Sequence, residues 1–140
     1  MNWLNEGVCA PKGFTANGIH CGIRKNRDKK DLALIVSEVP CQAAAVYTTN
    51  LVKGAPILVT RKHLADGVAQ AMVCNSGNAN TCNRNGEEVA EIMCDIVSAH
   101  TGIPSENIIV ASTGVIGETV TASLMSSSTI TVCTSPISRN

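Results

Sequence analysis

The most regular pattern in the 140-residue chain lies between Glu87 and His100, where Val89, Met93, Ile96, Val97 and His100 recur at the spacing of one helix face. Glu87 and Glu88 suit the positive end of that helix, and Gly102 and Pro104 predict its stop. The other apolar positions fall in short runs rich in Val and Ile. Gly7 to Gly18 is punctuated by Gly and Pro and predicts an extended opening segment with a turn. Ile19 to Ile23 and Asp31 to Ser37 flank the polar run Arg24 to Lys30 and predict a hairpin with a solvated tip. Further strands are predicted over Ala43 to Thr49, Pro56 to Thr60 and Gln70 to Cys74. Thr60 is placed to cap a short helix over Arg61 to Ala65, ending near Asp66-Gly67. A last buried strand over Ile108 to Ser112 follows the long helix. Strands and helices interleave, so the fold class is α/β or α+β, a mixed sheet with packed helices.

Two polar stretches close strands and are candidates for chemistry. The predicted strand ends at Ser112, which puts Thr113 and Gly114 at the rim of the sheet. Gly there permits close approach, and an amide can point outward as half of an oxyanion hole. The same residues also suit a plain chain reversal. The run Asn75 to Asn80 carries three carboxamides and one hydroxyl. It suits a self-bonded turn or a site that positions an amide or carboxylate ligand. The basic run Arg24 to Lys30 reads as a solvated loop, with phosphate or CoA binding as its functional alternative.

Eleven basic and eleven acidic residues cancel, leaving no global field to draw the chain to nucleic acid or an anionic membrane. No run is long and apolar enough to span a bilayer, and the N-terminus lacks a signal-peptide pattern, so a cytoplasmic protein is expected. Seven cysteines without a Cys-x-x-Cys pair suggest reduced, buried thiols. Cys9, His20 and Cys21 are spaced poorly for zinc, and no metal site is expected. His63 and His100 read as surface or half-buried helix residues. With one Trp, one Tyr and one Phe, the core is thinly filled and suits completion by another polypeptide.

Six segments in one order carry a family likeness: Ala10 to Phe14, Gly18 to Ile23, Lys30 to Ile35, Val46 to Asn50, Cys74 to Asn80 and Ala111 to Gly117. Together they resemble the N-terminal part of the ornithine acetyltransferases, also called glutamate N-acetyltransferases, over roughly Gly7 to Gly117. The resemblance implies a precursor that cuts itself before a threonine. The new N-terminal Thr of the β chain is then the nucleophile, and the fold is one shared with self-processing aminopeptidases. It implies acetyl transfer from N2-acetylornithine to glutamate in arginine biosynthesis, with acetyl-CoA as an alternative donor and no other cofactor. Thr113, through its hydroxyl, and Gly114, through its amide, match the family's oxyanion pair. The partner implied is the β chain of the same precursor, in a hetero-oligomer.

The likeness divides the chain into an α-chain-like segment, 1–117, and a Ser/Thr-rich tail, 118–140. The family continues from this point into a Pro-containing segment, helices and an Asn-Met-Ala-Thr-Met-Leu cleavage motif. Here Glu118 leads into the tail, which reads as disordered, as a linker or as the product of a shifted frame. The nucleophile is therefore expected to be absent, and the chain alone inactive. A non-enzymatic module that binds a ligand through Asn75 to Asn80 is the alternative. A hydrolase built on Ser112 or Cys74 lacks a recognisable base.

Overall fold

A computed structural model describes residues 7–118, so the tail from Thr119 onward lies outside the described residues. Strands β1 (Phe14–Ile19), β2 (Leu32–Gln42), β3 (Val68–Asn78) and β4 (Ile108–Val115) form one mixed sheet in the order β1-β2-β3-β4. The first three are antiparallel neighbours, and β4 runs parallel to β3. Helices α1 (Ala55–His63) and α2 (Gly86–Thr101) cover one face, which makes the molecule a mixed α/β structure.

Side-chain alternation sorts the sheet into rows. Val36, Ala71 and Ile108 form one row across β2, β3 and β4, and Leu34, Val73 and Val110 form the next. Both rows point at Val59 of α1 and at Ala90, Met93 and Val97 of α2. The third row is Leu32, Asn75 and Ser112, where the core turns polar. Helix α2 follows the periodicity read from the sequence: Val89, Met93 and Val97 are buried, and Gly102 closes it in the left-handed conformation at φ 75°. Its amide donates to Ser98 O at 2.8 Å.

Several local expectations are corrected. The hairpin exists but begins earlier: β1 occupies Phe14–Ile19, all but its last residue inside the stretch expected to be an opening segment. Residues 20–24 instead wrap around the buried Asp31 carboxylate, which accepts the Cys21 amide at 2.7 Å and the Arg24 amide at 2.9 Å. Ala43 to Thr49 forms no strand: the Ala43 amide donates to Gly67 O at 2.8 Å, but no ladder continues from there, and β propensity without a neighbouring ladder fixes no backbone. Val46 there is fully exposed, at 100%. Pro56 to Thr60 is not a strand but the body of α1. Pro in the first turn is compatible with a helix start, and Arg61, Lys62 and His63 favour its C-terminal end. Thr60 therefore caps nothing. Strand β3 is longer than expected and continues through Asn75 to Asn78, and β4 passes Ser112 to end at Val115.

Among the described residues the fully buried side chains include no aromatic ring; Met93, Ile108, Val59, Val73 and Val97 do the filling. Of the described cysteines, all are free thiols, but only Cys21 and Cys94 are buried, and Cys82 is exposed. Burial pushes the Cys94 thiol up to about 12 and, with Asp31 beside it, the Cys21 thiol up to about 11. His63 also departs from expectation, being buried rather than superficial or half-buried. Its Nδ1 lies 2.7 Å from Ile108 O and its Nε2 lies 3.0 Å from Glu91 Oε2, so it joins α1, α2 and the start of β4. Burial raises the Glu91 carboxyl, but Lys62 and His63 outweigh it and hold it below the usual carboxylate range. His100 is on the surface of α2, as expected.

Candidate active site

The Asn75 to Asn80 stretch turns inward. Asn75, Asn78 and Asn80 are all buried, and each carboxamide bonds at least one backbone group, while Asn75 Oδ1 has no partner among the described residues. Asn75 Nδ2 donates to Asn78 O at 3.0 Å, and Asn78 Oδ1 accepts the Asn80 amide at 2.7 Å. Asn80 Nδ2 donates to Gly86 O at 2.8 Å, while Asn80 O accepts the Ala55 amide at 3.0 Å. One buried polar ladder thus ties the end of β3 to the first residues of both helices. This arrangement disfavours the expectation that the loop displays its amides to a ligand. Asn80 also sits at φ 48°, a left-handed conformation that Asn tolerates better than most residues. Asn80→Ala is expected to lower unfolding stability by about 2 to 3 kcal/mol, because it removes the buried hydrogen bonds of the carboxamide and adds backbone strain. Urea unfolding checks this, and a change under about 0.5 kcal/mol, typical of an inert surface site, would contradict it.

The same segment grips the chain beyond β4. The Ala79 amide donates to Val115 O at 2.8 Å, and the Gly117 amide donates to Thr81 O at 3.3 Å. Asn78 Nδ2 and Asn83 Nδ2 both donate to Glu118 O, at 2.7 and 2.9 Å. Thr113 and Gly114 stand just before these anchors, in register with Ser76 and Gly77 of β3. The two glycines meet back to back: Gly77 at φ 141° and Gly114 at φ 134° adopt backbones that other residues rarely take.

Strand β4 is an edge of the described sheet, and α1 lies along that edge. Thr60 Oγ1 donates to Val110 O at 2.7 Å and accepts the Val110 amide at 3.0 Å, so one hydroxyl satisfies both outward groups of that residue. Backbone groups along a regular strand turn to alternate sides, which directs those of Ser112 to the same outer edge. Beyond Thr60 the edge opens into a cleft of about 300 Å³ lined by residues that include Tyr47, Ile57, Thr81, Ser112, Thr113 and Gly114. None of its described lining residues is charged. Thr113 and Gly114 are exposed at its rim.

Ser112 offers no nucleophile. Its buried hydroxyl lacks a hydrogen-bond partner among the described residues, and the buried His63 is engaged with Ile108 and Glu91 instead. Burial raises the Cys74 thiol, which disfavours its reactive thiolate. The described residues contain no group of three or more His, Cys, Asp or Glu able to hold a metal. His20 lies against Asp31, 3.0 Å away. Within the basic run, Lys25 to Lys30 are exposed, whereas Arg24 is drawn in toward β3. Nothing local in the sequence marks Arg24, Asp31 or His63 as organising residues, because each acts on groups distant in the chain.

A parallel strand pair ends here in a glycine-lined rim beside an uncharged cleft, so the chain is a mixed α/β protein with a candidate ligand site at a strand end. A sequence profile of the ArgJ family matches residues 15–136, and the chain belongs to that family. It is 51% identical over 119 residues to the arginine biosynthesis bifunctional protein ArgJ of Symbiobacterium thermophilum, spanning 84% of this chain and 30% of that protein. The ArgJ protein of Halalkalibacterium halodurans is 44% identical over 130 residues, spanning 84% of this chain and 31% of the relative. The chain thus spans about a third of the length of these relatives.

Solved structures agree. The crystal structure of the arginine biosynthesis bifunctional protein ArgJ from Bacillus halodurans superposes with a TM-score of 0.77 at 43% identity, covering 82% of this chain and 60% of that one. The ornithine acetyltransferase of Mycobacterium tuberculosis, solved in complex with ornithine, gives a TM-score of 0.76 at 36% identity, covering 83% and 63%. Among the described residues, no helix is long and apolar enough to cross a membrane.

Proposed function

We propose that residues 1–117 are the α-chain portion of a cytoplasmic acetyltransferase of arginine biosynthesis, which moves acetyl from N2-acetylornithine to glutamate. In this reading Thr113, through its hydroxyl, and Gly114, through its amide, hold the oxyanion of each tetrahedral intermediate. The nucleophile is a β-chain N-terminal threonine supplied by the remainder of the relatives' length. The observation that carries the reading is the exposed Thr113-Gly114 rim on an uncharged cleft at the end of β4.

The chemistry needs no cofactor. An N-terminal Thr has its own base, because an α-amino group with a pKa of about 7.7 to 8 can take the hydroxyl proton near neutral pH. Attack on the acetyl carbonyl forms an O-acetyl threonine ester and releases ornithine. The glutamate amine then attacks that ester and regenerates the threonine. Two oxyanions form in turn, and the same two donors serve both.

The 140-residue chain alone is expected to transfer no acetyl group, whereas residues 1–117 joined to the remaining region of the Symbiobacterium relative should do so. Radiolabelled transfer from N2-acetylornithine to glutamate measures both. Transfer by the purified 140-residue chain would contradict the division of labour. A folded, self-cleaved joined protein without transfer would contradict the assigned reaction.

A further inference from the structure

The basic run holds one residue that does not behave as part of a solvated loop. Arg24 Nε donates to Ser76 O at 3.0 Å, and its Nη2 donates to Ser76 Oγ. Its stem lies against Gly77: a Cβ built on Gly77 would come 2.9 Å from Arg24 Cγ. Ser76 and Gly77 are the register partners of Thr113 and Gly114. Arg24 thus braces the β3 residues that back the rim, from a point 52 positions earlier in the chain.

Its own position is fixed from below. Asp31 Oδ2 accepts the Arg24 amide, Asp31 Oδ1 accepts the Cys21 amide, and Asp31 O accepts the Ser76 amide at 2.8 Å. One buried aspartate therefore holds both the turn that launches Arg24 and the strand that receives it. Ser76 and Thr113, as register partners, send their side chains from the same face of the sheet. The guanidinium consequently lies on the Thr113 side of the sheet, one strand away from it.

We infer that Arg24 is a positioning residue for the Thr113-Gly114 pair, fixing the β3 backbone behind it and adding a positive charge one strand away from the developing oxyanion. The inference rests on the oxyanion reading proposed above. A guanidinium suits both tasks, since its planar fork spans a carbonyl and a hydroxyl together and it stays charged at any working pH. A charge one strand away acts through a partly buried medium, so its effect is smaller than that of a direct donor.

Three variants of the joined enzyme test it: Arg24→Gln, Arg24→Lys and Thr113→Ala. Arg24→Gln should lower kcat about tenfold with KM changed less than about twofold, and Arg24→Lys should recover part of that loss by restoring charge without the fork. Equal losses in the Gln and Lys variants, tracking equal drops in thermal midpoint, would reduce Arg24 to a structural brace and overturn the inference. An unchanged kcat in Arg24→Gln, with Thr113→Ala impaired, overturns it while leaving the oxyanion reading intact. An unimpaired Thr113→Ala overturns the oxyanion reading and this inference with it.

Discussion

Gly114→Ala is expected to cost the protein both stability and chemistry. A Cβ at this position would fall 2.2 Å from Gly77 C, 2.5 Å from Gly77 O and 2.6 Å from the Asn78 amide nitrogen, all backbone atoms held in the β3 ladder. No side-chain rotation relieves such an overlap, so β3 and β4 must separate or the rim must rebuild. The residue also holds φ 134°, a conformation in which alanine is strained even in open space. The combined cost is about 3 kcal/mol or more, at the upper end for overpacking plus backbone strain.

Gly117→Ala is the matched control. It shares a positive φ, at 81°, but a Cβ there meets nothing within 4 Å. Strain alone should then cost about 1 to 2 kcal/mol. Urea unfolding of the two variants separates the contributions, and equal destabilisation would show that the packing of Gly114 against Gly77 has no energetic consequence. In the joined enzyme Gly114→Ala should also abolish most transfer, because moving the rim by a fraction of an ångström would misalign the proposed oxyanion donor.

What could be read from the chain divides along physical lines. Helix α2 was legible because its face repeats locally, and Gly102 supplies the left-handed stop that its end requires. Thr113 and Gly114 were legible as a rim, though not as the continuation of a strand. Beyond Ser112 the β4 ladder persists because Gly114 packs on Gly77, a contact that no property of residues 108–117 encodes. Pro56 to Thr60 looked like a strand from its β-branched residues. Its helix is selected by tertiary context, with Val59 buried in the core and Thr60 bonded to Val110, 50 positions later.

The asparagines were visible, but the direction they face was not. Whether a carboxamide serves a ligand or the backbone depends on what surrounds it. Here the starts of both helices converge on Asn80. Asp31 and His63 follow the same rule: a single polar residue carries no periodicity, so its burial emerges only when distant amides and carbonyls are brought to it.

In the proposed reaction the Thr113 hydroxyl stabilises negative charge. That hydroxyl would meet an oxygen that becomes strongly negative only as the tetrahedral intermediate forms, so its loss should affect chemistry more than binding. In the joined enzyme Thr113→Val keeps the shape and removes the hydroxyl, whereas Thr113→Ser keeps the hydroxyl and removes a methyl group. Thr113 is exposed at the rim, so neither change should disturb the core or move the thermal midpoint appreciably. The direct measurement is kcat and KM for acetyl transfer, with the rate of precursor self-cleavage recorded alongside. Thr113→Val should lower kcat by about 10²-fold or more with KM nearly unchanged and should slow self-cleavage, while Thr113→Ser should retain most of both rates. Normal transfer and normal self-cleavage in Thr113→Val, at an unchanged thermal midpoint, would contradict the oxyanion assignment and leave Thr113-Gly114 as no more than the end of a strand.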